Sequence, residues 1–261
     1  MKPGCRQRFK LVIGYDGTNY SGWQLQPDKR TIQGEIENAV MQLTGRPARV
    51  NSSGRTDRGV HARAQVAHVD LECDIKPDKL VIGINRFLER DIRILKASRA
   101  RPDFDARMSA TGKEYRYFIW NEPIIPPHVR LYYTHIYRPL DHARMVEAAR
   151  LLEGRHDFAA FSANPGHERE GTVRTVYALK VRKAGPRLTV TALGDGFLFK
   201  MVRSLSGFLV RVGCGDLAVD DATHILQSKT RTARVPTADP HGLFLWRVFY
   251  GKLPGVEQRP G

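Results

Sequence analysis

The order of its alternating and helical segments constrains the fold of this chain more than any other feature. Residues 8–15 alternate apolar and polar side chains, which indicates a strand, and residues 31–44 place their apolar side chains on one helical stripe. Two strands at 48–53 and 65–71, a helix at 78–88 and a strand at 92–97 are predicted next. The first half therefore has the order β-α-β-β-α-β.

The second half repeats this order, although the residues themselves do not align with those of the first half. The patterns predict a strand at 113–120, a helix at 141–152, strands at 173–183 and 187–193, helices at 199–212 and 220–227, and a strand at 243–250. Apart from the short second-last helix, the order is again β-α-β-β-α-β. This order is typical of ferredoxin-like (RRM-like) folds. We therefore predict an α+β protein of two similar halves, 1–104 and 105–261, with mainly antiparallel sheets flanking a central basic cleft.

The charge of the chain points to a polyanionic partner. The 261 residues include 42 Lys+Arg against 27 Asp+Glu, a formal net charge of +15, and 41% are hydrophobic, which excludes a disordered chain. Because Lys and Arg release condensed counterions when they neutralise phosphates, nucleic acid is the favoured partner. A basic surface with no partner, or a protein of the membrane surface, stays open as an alternative.

Cysteine usage and hydropathy favour a cytoplasmic protein. The three cysteines, Cys5, Cys73 and Cys214, are odd in number and form no C-x-x-C pair, so neither a disulfide framework nor a zinc site is expected. The basic start of the chain lacks the apolar run of a signal peptide, and no apolar stretch approaches the ~18 residues that span a bilayer.

A polar loop between the central strands of the first half carries the chemistry. Residues 54–62 read GRTDRGVHA, which places the carboxylate of Asp57 between Arg55 and Arg58. One interpretation is that Asp57 caps a turn among solvated arginines. The other is that adjacent cations hold Asp57 ionised, so that it acts as a nucleophile or base. His61 either assists or is a structural residue.

The loop resembles the signature of the bacterial tRNA pseudouridine synthase A family. The resemblance covers nearly the whole chain and includes 15–26 (YDGTNYSGWQLQ), 31–34 (TIQG), 104–117 (FDARMSATGKEYRY), 157–161 (DFAAF), 196–213 (GFLFKMVRSLSGFLVRVG) and 236–250. It implies an enzyme that isomerises uridines at positions 38, 39 and 40 of the tRNA anticodon stem-loop and acts as a homodimer. By the same resemblance, Asp57 is the essential nucleophile.

The reaction itself explains why a carboxylate suffices. Isomerising uridine breaks the C1′–N1 bond, rotates the base and forms a C1′–C5 bond without redox change, so no cofactor is expected. The chain accordingly offers neither a nucleotide-binding glycine motif nor metal ligands. A carboxylate can trap the sugar at C1′, add to C6 of the base or remove the 2′ proton, and the sequence leaves these routes open.

Arg203 lies in the predicted helix 199–212, about 160° from the centre of its apolar stripe, so it is not expected in the core. Phe199 and Val210 on the same side indicate that this face also packs, and a partly buried arginine needs an anion. The resemblance implies that Arg203 pairs with Asp57 across the cleft.

Three further residues are assigned by resemblance. Tyr115 shares a strand face with Tyr117 and is either core or, as in the family, a residue that stacks on the flipped target base. Arg55 is expected to contact RNA and to hold the flipped geometry. Leu243 is either ordinary core or an apolar wall of the pocket.

Two positions depart from the family pattern. Arg58 stands where the family often has a small residue, and Val235 precedes Pro236 where alanine is usual. A non-catalytic RNA-binding protein and a synthase with another RNA target are the alternative functions. The acidic residue in the loop favours an enzyme, because simple binding would not need a carboxylate facing phosphates.

Overall fold

In the computed structural model, which describes residues 3–163 and 171–253, the chain divides into two compact units. The first comprises Met1–Thr111 and Leu245–Lys252, and the second contains Gly112–Phe244. The sequence-based boundary after residue 104 lies a few residues before this division. The return of residues 245–252, which include most of the final strand, to the first unit was not predicted, because strand pairing between distant segments leaves no local sequence signal.

The first unit is an antiparallel sheet with two helices. Its elements are β1 (Pro3–Tyr15), α1 (Ile32–Thr44), β2 (Asn51–Ser52), β3 (His61–Cys73), α2 (Pro77–Arg86) and β4 (Ile92–Arg99). Strand β1 pairs antiparallel with both β3 and β4, β2 pairs antiparallel with β3, and β10 (Leu243–Phe249) lies on the other side of β3. The predicted order of elements is observed, with β3 starting four residues earlier than expected.

Helix α1 begins and ends where its sequence signals predict. The Thr31 hydroxyl accepts a hydrogen bond from the Gly34 amide at 3.2 Å, which caps the first turn. Gly45 ends the helix with φ +73°, and its amide donates to the Met41 carbonyl at 2.8 Å. The stripe that includes Ile32 and Ile36 is buried.

The core of the first unit includes one face of the β1–β3 pair. Phe9, Leu11 and Ile13 are fully buried on β1, and their register partners on β3 are Val69, Ala67 and Gln65. Two of these partners are apolar. The third, Gln65, is a fully buried amide, and its hydrogen bonds lead to the loop that carries Asp57.

The described part of the second unit contains strands that pair mostly antiparallel, together with three α-helices. Its elements are β5 (Gly112–Trp120), β6 (Thr134–His135), α3 (His142–Leu151), β7 (Gly154–Asp157), β8 (Val173–Ala184), β9 (Arg187–Gly194), α4 (Met201–Gly213) and α5 (Asp221–Ser228). The order is β5-β9-β8-β7 with antiparallel pairs, and β6 pairs parallel with β5. Strands β6 and β7 were not predicted, because two and four residues are too short for an alternating pattern.

The whole is thus an α+β protein with mostly antiparallel strands, as the sequence predicts. Within the described ranges, no helix combines the length and the apolar character needed to cross a membrane. Cys73 and Cys214 are free thiols, and the side chain of Cys5 lies outside those described.

Candidate active site

Residues 54–60, called here the Asp57 loop, join β2 to β3 in the first unit. Thr56 and Val60 of this loop are buried, whereas Arg55 and Arg58 are exposed and Asp57 is half-buried. The buried side chains of Thr56 and Val60 therefore anchor the loop, while its charged side chains lie at or near the surface.

The backbone after Asp57 forms a tight turn. The Asp57 carbonyl accepts a hydrogen bond from the Val60 amide at 3.2 Å, and Gly59, the third residue of the turn, has φ +76°. Because Arg58 does not have a positive φ, this is the geometry of a type II turn, which requires glycine or asparagine at the third position. Gly59 thereby fixes the direction in which the chain leaves Asp57.

Four buried polar side chains form a network beneath the loop: Tyr15, Ser53, Thr56 and Gln65, called here the buried network. The hydroxyls of Tyr15 and Thr56 are 2.8 Å apart, and Tyr15 also bonds to Gln65. Gln65 Nε2 donates to the Gly54 carbonyl at 2.8 Å, and Gln65 Oε1 accepts from the Ser53 hydroxyl at 2.7 Å. Burial raises the pKa of Tyr15, so this hydroxyl keeps its proton at neutral pH.

A second segment, residues 16–23, packs its backbone directly against the Asp57 loop. The Trp23 amide donates to the Thr56 carbonyl at 3.0 Å. Gly22 has φ +91°, and a Cβ there would lie 2.7 Å from the same carbonyl oxygen. A Cβ at Gly17 would overlap the Val60 carbonyl oxygen. Both glycines are therefore required for close backbone approach, one on each side of Asp57.

His61 has a structural contact in this arrangement. Its side chain is fully buried, and Nδ1 accepts a hydrogen bond from the Gly17 amide at 3.0 Å. This contact favours the structural interpretation of His61 over the catalytic one.

In the second unit, Tyr115 and Tyr117 lie on the same face of β5, as the alternation predicts. Tyr115 is 8% exposed, and its ring meets Phe197 edge to face with centroids 5.4 Å apart. Tyr117 is fully buried, and its hydroxyl bonds to Thr134 Oγ1 at 2.6 Å and donates to the Asp239 carbonyl at 3.0 Å. Tyr117 is therefore core, whereas Tyr115 reaches the boundary of the core.

Arg203 lies on α4, a helix that is buried on nearly all sides. Its Nε donates to the Ala238 carbonyl at 2.7 Å, and its own carbonyl accepts from the Ala238 amide at 3.1 Å. From Phe199 and Val210 on the same side, the sequence predicts that this face packs. It does pack at Arg203, against Ala238. Phe199 itself precedes the helix and is 42% exposed.

Arg231 was missed by the sequence analysis, because nothing in its local pattern sets it apart from the other basic residues. Its Nη1 donates to the buried Ser204 hydroxyl at 2.8 Å, and its Nη2 donates to the Val235 carbonyl and to Thr237 Oγ1 at 2.8 Å each. Arg231 thus ties residues 235–238 to the helix position next to Arg203.

Leu243 begins β10 and is 6% exposed. Gly242, which precedes it, is packed so tightly that a Cβ would lie 2.7 Å from Thr134 Oγ1 and 2.8 Å from the Phe118 carbonyl oxygen. Val235, where the family usually has alanine, is buried, so the second unit accommodates the larger side chain.

The predicted site residues therefore fall into two groups. Arg55 and Asp57 share one loop of the first unit, and Tyr115, Arg203 and Leu243 belong to the second unit. Among the residues that the structure describes, no group of three or more His, Cys, Asp or Glu side chains could hold a metal ion.

The chain is thus an α+β protein in which Asp57 stands in the sequence between two exposed arginines, at the start of a glycine-dependent turn. The family model described as tRNA pseudouridine synthase matches residues 11–108 and 148–251. The chain belongs to this family of isomerases.

Proteins named tRNA pseudouridine synthase A are similar over nearly their full length. The protein from Maridesulfovibrio salexigens is 41% identical over 94% of this chain and 91% of its own. The corresponding values are 40%, 94% and 98% for Geobacillus sp. and 42%, 94% and 100% for Brevibacillus brevis. Among solved structures, a chain in a Cbf5-Nop10-Gar1 complex gives a TM-score of 0.34 at 14% identity, covering 77% of this chain and 54% of that one. That likeness is too weak to bear on the fold.

Proposed function

We propose that the protein isomerises uridine to pseudouridine in tRNA, at positions 38, 39 and 40 of the anticodon stem-loop. Family membership supports the reaction, and the names of the similar proteins support tRNA as the substrate. The observation that carries the proposal is the half-buried carboxylate of Asp57, presented between two exposed arginines on a glycine-dependent turn.

Asp57 is the proposed nucleophile. The reaction exchanges a C1′–N1 bond for a C1′–C5 bond and releases the C5 proton, so it needs no electron acceptor. A carboxylate can stabilise or trap the sugar at C1′, add to C6, or take the 2′ proton. A fixed turn suits each route, because catalysis requires the reacting group to be held in place before the substrate arrives.

The remaining residues are proposed to bind and orient the substrate. Arg55 and Arg58 are exposed cations beside Asp57, which suits contacts to phosphates. Tyr115 is proposed to stack on the flipped base, and Leu243 to form an apolar wall of its pocket. Arg203 is proposed to be the cationic partner of Asp57. The resemblance to the family supports these assignments.

Three further features belong to the same proposal. Two similar ferredoxin-like halves are proposed, and the element order of the first half supports this. By resemblance, the protein acts as a homodimer and without a cofactor. Its cytoplasmic location is proposed from the site of tRNA modification and from the cysteine pattern.

The test uses the purified protein and tRNA transcripts with uridine at only one of the three positions. Pseudouridine mapping should show conversion at each position, and a transcript with cytidine at all three should show none. Binding without conversion would identify a non-catalytic RNA-binding protein. Conversion restricted to other positions would identify a different RNA target.

A further inference from the structure

We propose that the buried network positions the carboxylate of Asp57, with Tyr15 and Thr56 as its principal positioning residues. The inference rests on the proposed role of Asp57 as the nucleophile. Neither Tyr15 nor Thr56 touches the substrate in this proposal. They act by fixing the backbone from which the Asp57 side chain projects.

Thr56, the residue directly before Asp57, is held through two different groups. Its hydroxyl bonds to the Tyr15 hydroxyl at 2.8 Å, and its carbonyl accepts from the Trp23 amide at 3.0 Å. The close approach of Gly22 to the same carbonyl leaves no room for Thr56 to move toward residues 16–23. Thr56 therefore has a single position in which both hydrogen bonds are made.

Because the network is buried, moving Thr56 out of this position would destabilise the folded state. Its four side chains are at most 7% exposed, so a donor or acceptor that loses its partner is not rehydrated. A buried polar group without a partner destabilises the conformation that leaves it so. Gln65 strengthens the argument, because it places an amide at a core position of β3 and directs it to the Gly54 carbonyl at the start of the loop. Satisfied buried networks of this kind specify one conformation.

The chain is fixed on the other side of Asp57 as well. The Asp57–Val60 hydrogen bond closes the turn, and the Val60 carbonyl is in close contact with Gly17. Asp57 thus projects from a short backbone stretch that is anchored before it and after it. Because a misplacement of about 1 Å can cost 10²-fold in rate, this anchoring is what a nucleophilic carboxylate requires.

The experiment compares three variants of the full-length protein in steady-state isomerisation of tRNA. Thr56→Val keeps the shape of the side chain but removes its hydroxyl, and Tyr15→Phe removes the partner hydroxyl. Each should lower kcat by about 10- to 100-fold with little change in KM for tRNA. Thr56→Ser keeps the hydroxyl and should retain a kcat close to that of the parent. The double variant Tyr15→Phe/Thr56→Val should be no slower than the slower single variant, since both remove the same bond.

The matched control is Tyr250→Phe, which removes a hydrogen bond of 2.6 Å to the Ala106 carbonyl in the same unit, away from the Asp57 loop. Its kcat should not change, and thermal melting should show that all variants fold. Parent-like kcat in Thr56→Val and Tyr15→Phe would overturn the inference, as would an equal loss of kcat in Tyr250→Phe. An active Asp57→Asn variant would instead overturn the proposed function, so the two failures are distinguishable.

Discussion

Replacing Asp70 by asparagine tests how the structure accounts for the stability of the first unit. Asp70 on β3 lies opposite Arg8 on β1 in the antiparallel register. Arg8 donates two hydrogen bonds to it, Nε to Oδ1 and Nη2 to Oδ2, each at 2.7 Å, and the two side chains are only 21% and 19% exposed. Arg6 adds a third hydrogen bond at 2.7 Å. This is the geometry in which an ion pair contributes measurably to stability.

The magnitude follows from the pKa of Asp70. Hydrogen bonds from Arg8 and Arg6 lower it from 3.8 to about 2, against the opposing effect of burial. At 1.36 kcal/mol for each unit of pKa, the ionised carboxylate stabilises the folded state by about 2 kcal/mol. Since the folded pKa lies below the unfolded one, this stabilisation is present at neutral pH, starts to fade near pH 5 and is absent below about pH 2.

The assay is the free energy of unfolding in urea, measured from pH 7 to the lowest pH at which the parent folds. Asp70→Asn should be less stable than the parent by about 2 kcal/mol at pH 7, and the difference should shrink as the pH falls below about 4. Asp74→Asn is the control, because its pair with Arg99 spans 3.2 Å between side chains that are 71% and 55% exposed and is expected to contribute little. A difference that is the same at pH 7 and in acid, or an Asp70→Asn variant as stable as Asp74→Asn, would refute the reasoning.

Three further predictions concern the candidate site. Gly17→Ala should lower both the melting temperature and the turnover, because its Cβ would overlap the Val60 carbonyl oxygen. Parent-like values of both would show that the Asp57 loop can shift to accommodate the Cβ. Arg231→Met leaves the buried Ser204 hydroxyl without this donor and should destabilise the protein by about 1–3 kcal/mol and reduce turnover, whereas unchanged stability in urea would contradict the role of Arg231. Arg203→Ala should abolish turnover but leave the salt dependence of tRNA binding unchanged. A log–log salt slope smaller by about one, with turnover retained, would place Arg203 on the RNA backbone.

Local signals explain which elements could be predicted. Thr31 and Gly45 mark the ends of α1 because capping depends on neighbouring residues alone. Strands β6 and β7 are too short to alternate, and nothing near β10 shows that it returns to the first unit. These features depend on contacts between residues far apart in the chain.

Some residues of the candidate site could likewise be predicted from local sequence signals, and others could not. Asp57 could be singled out because it is a lone carboxylate in an arginine-rich loop. Arg203 could be singled out because it lies opposite the apolar stripe of its predicted helix. Gln65 and Arg231 could not, because an amide in a strand and one arginine among many carry no signal until their partners are known. The residues proposed to react were thus predicted, whereas those proposed to hold them in place needed the structure.

The proposed reaction depends most directly on the carboxylate of Asp57, and one measurement tests that role. Asp57→Asn keeps the size of the side chain but removes the carboxylate that acts as nucleophile or base. Tritium release from tRNA labelled at C5 of uridine reports the reaction itself, since forming the C1′–C5 bond expels the C5 hydrogen. We predict that Asp57→Asn releases no tritium while it binds tRNA with nearly parental affinity and melts near the parental temperature. Tritium release by Asp57→Asn at more than a small fraction of the parental rate would contradict the assignment of Asp57 as the catalytic residue.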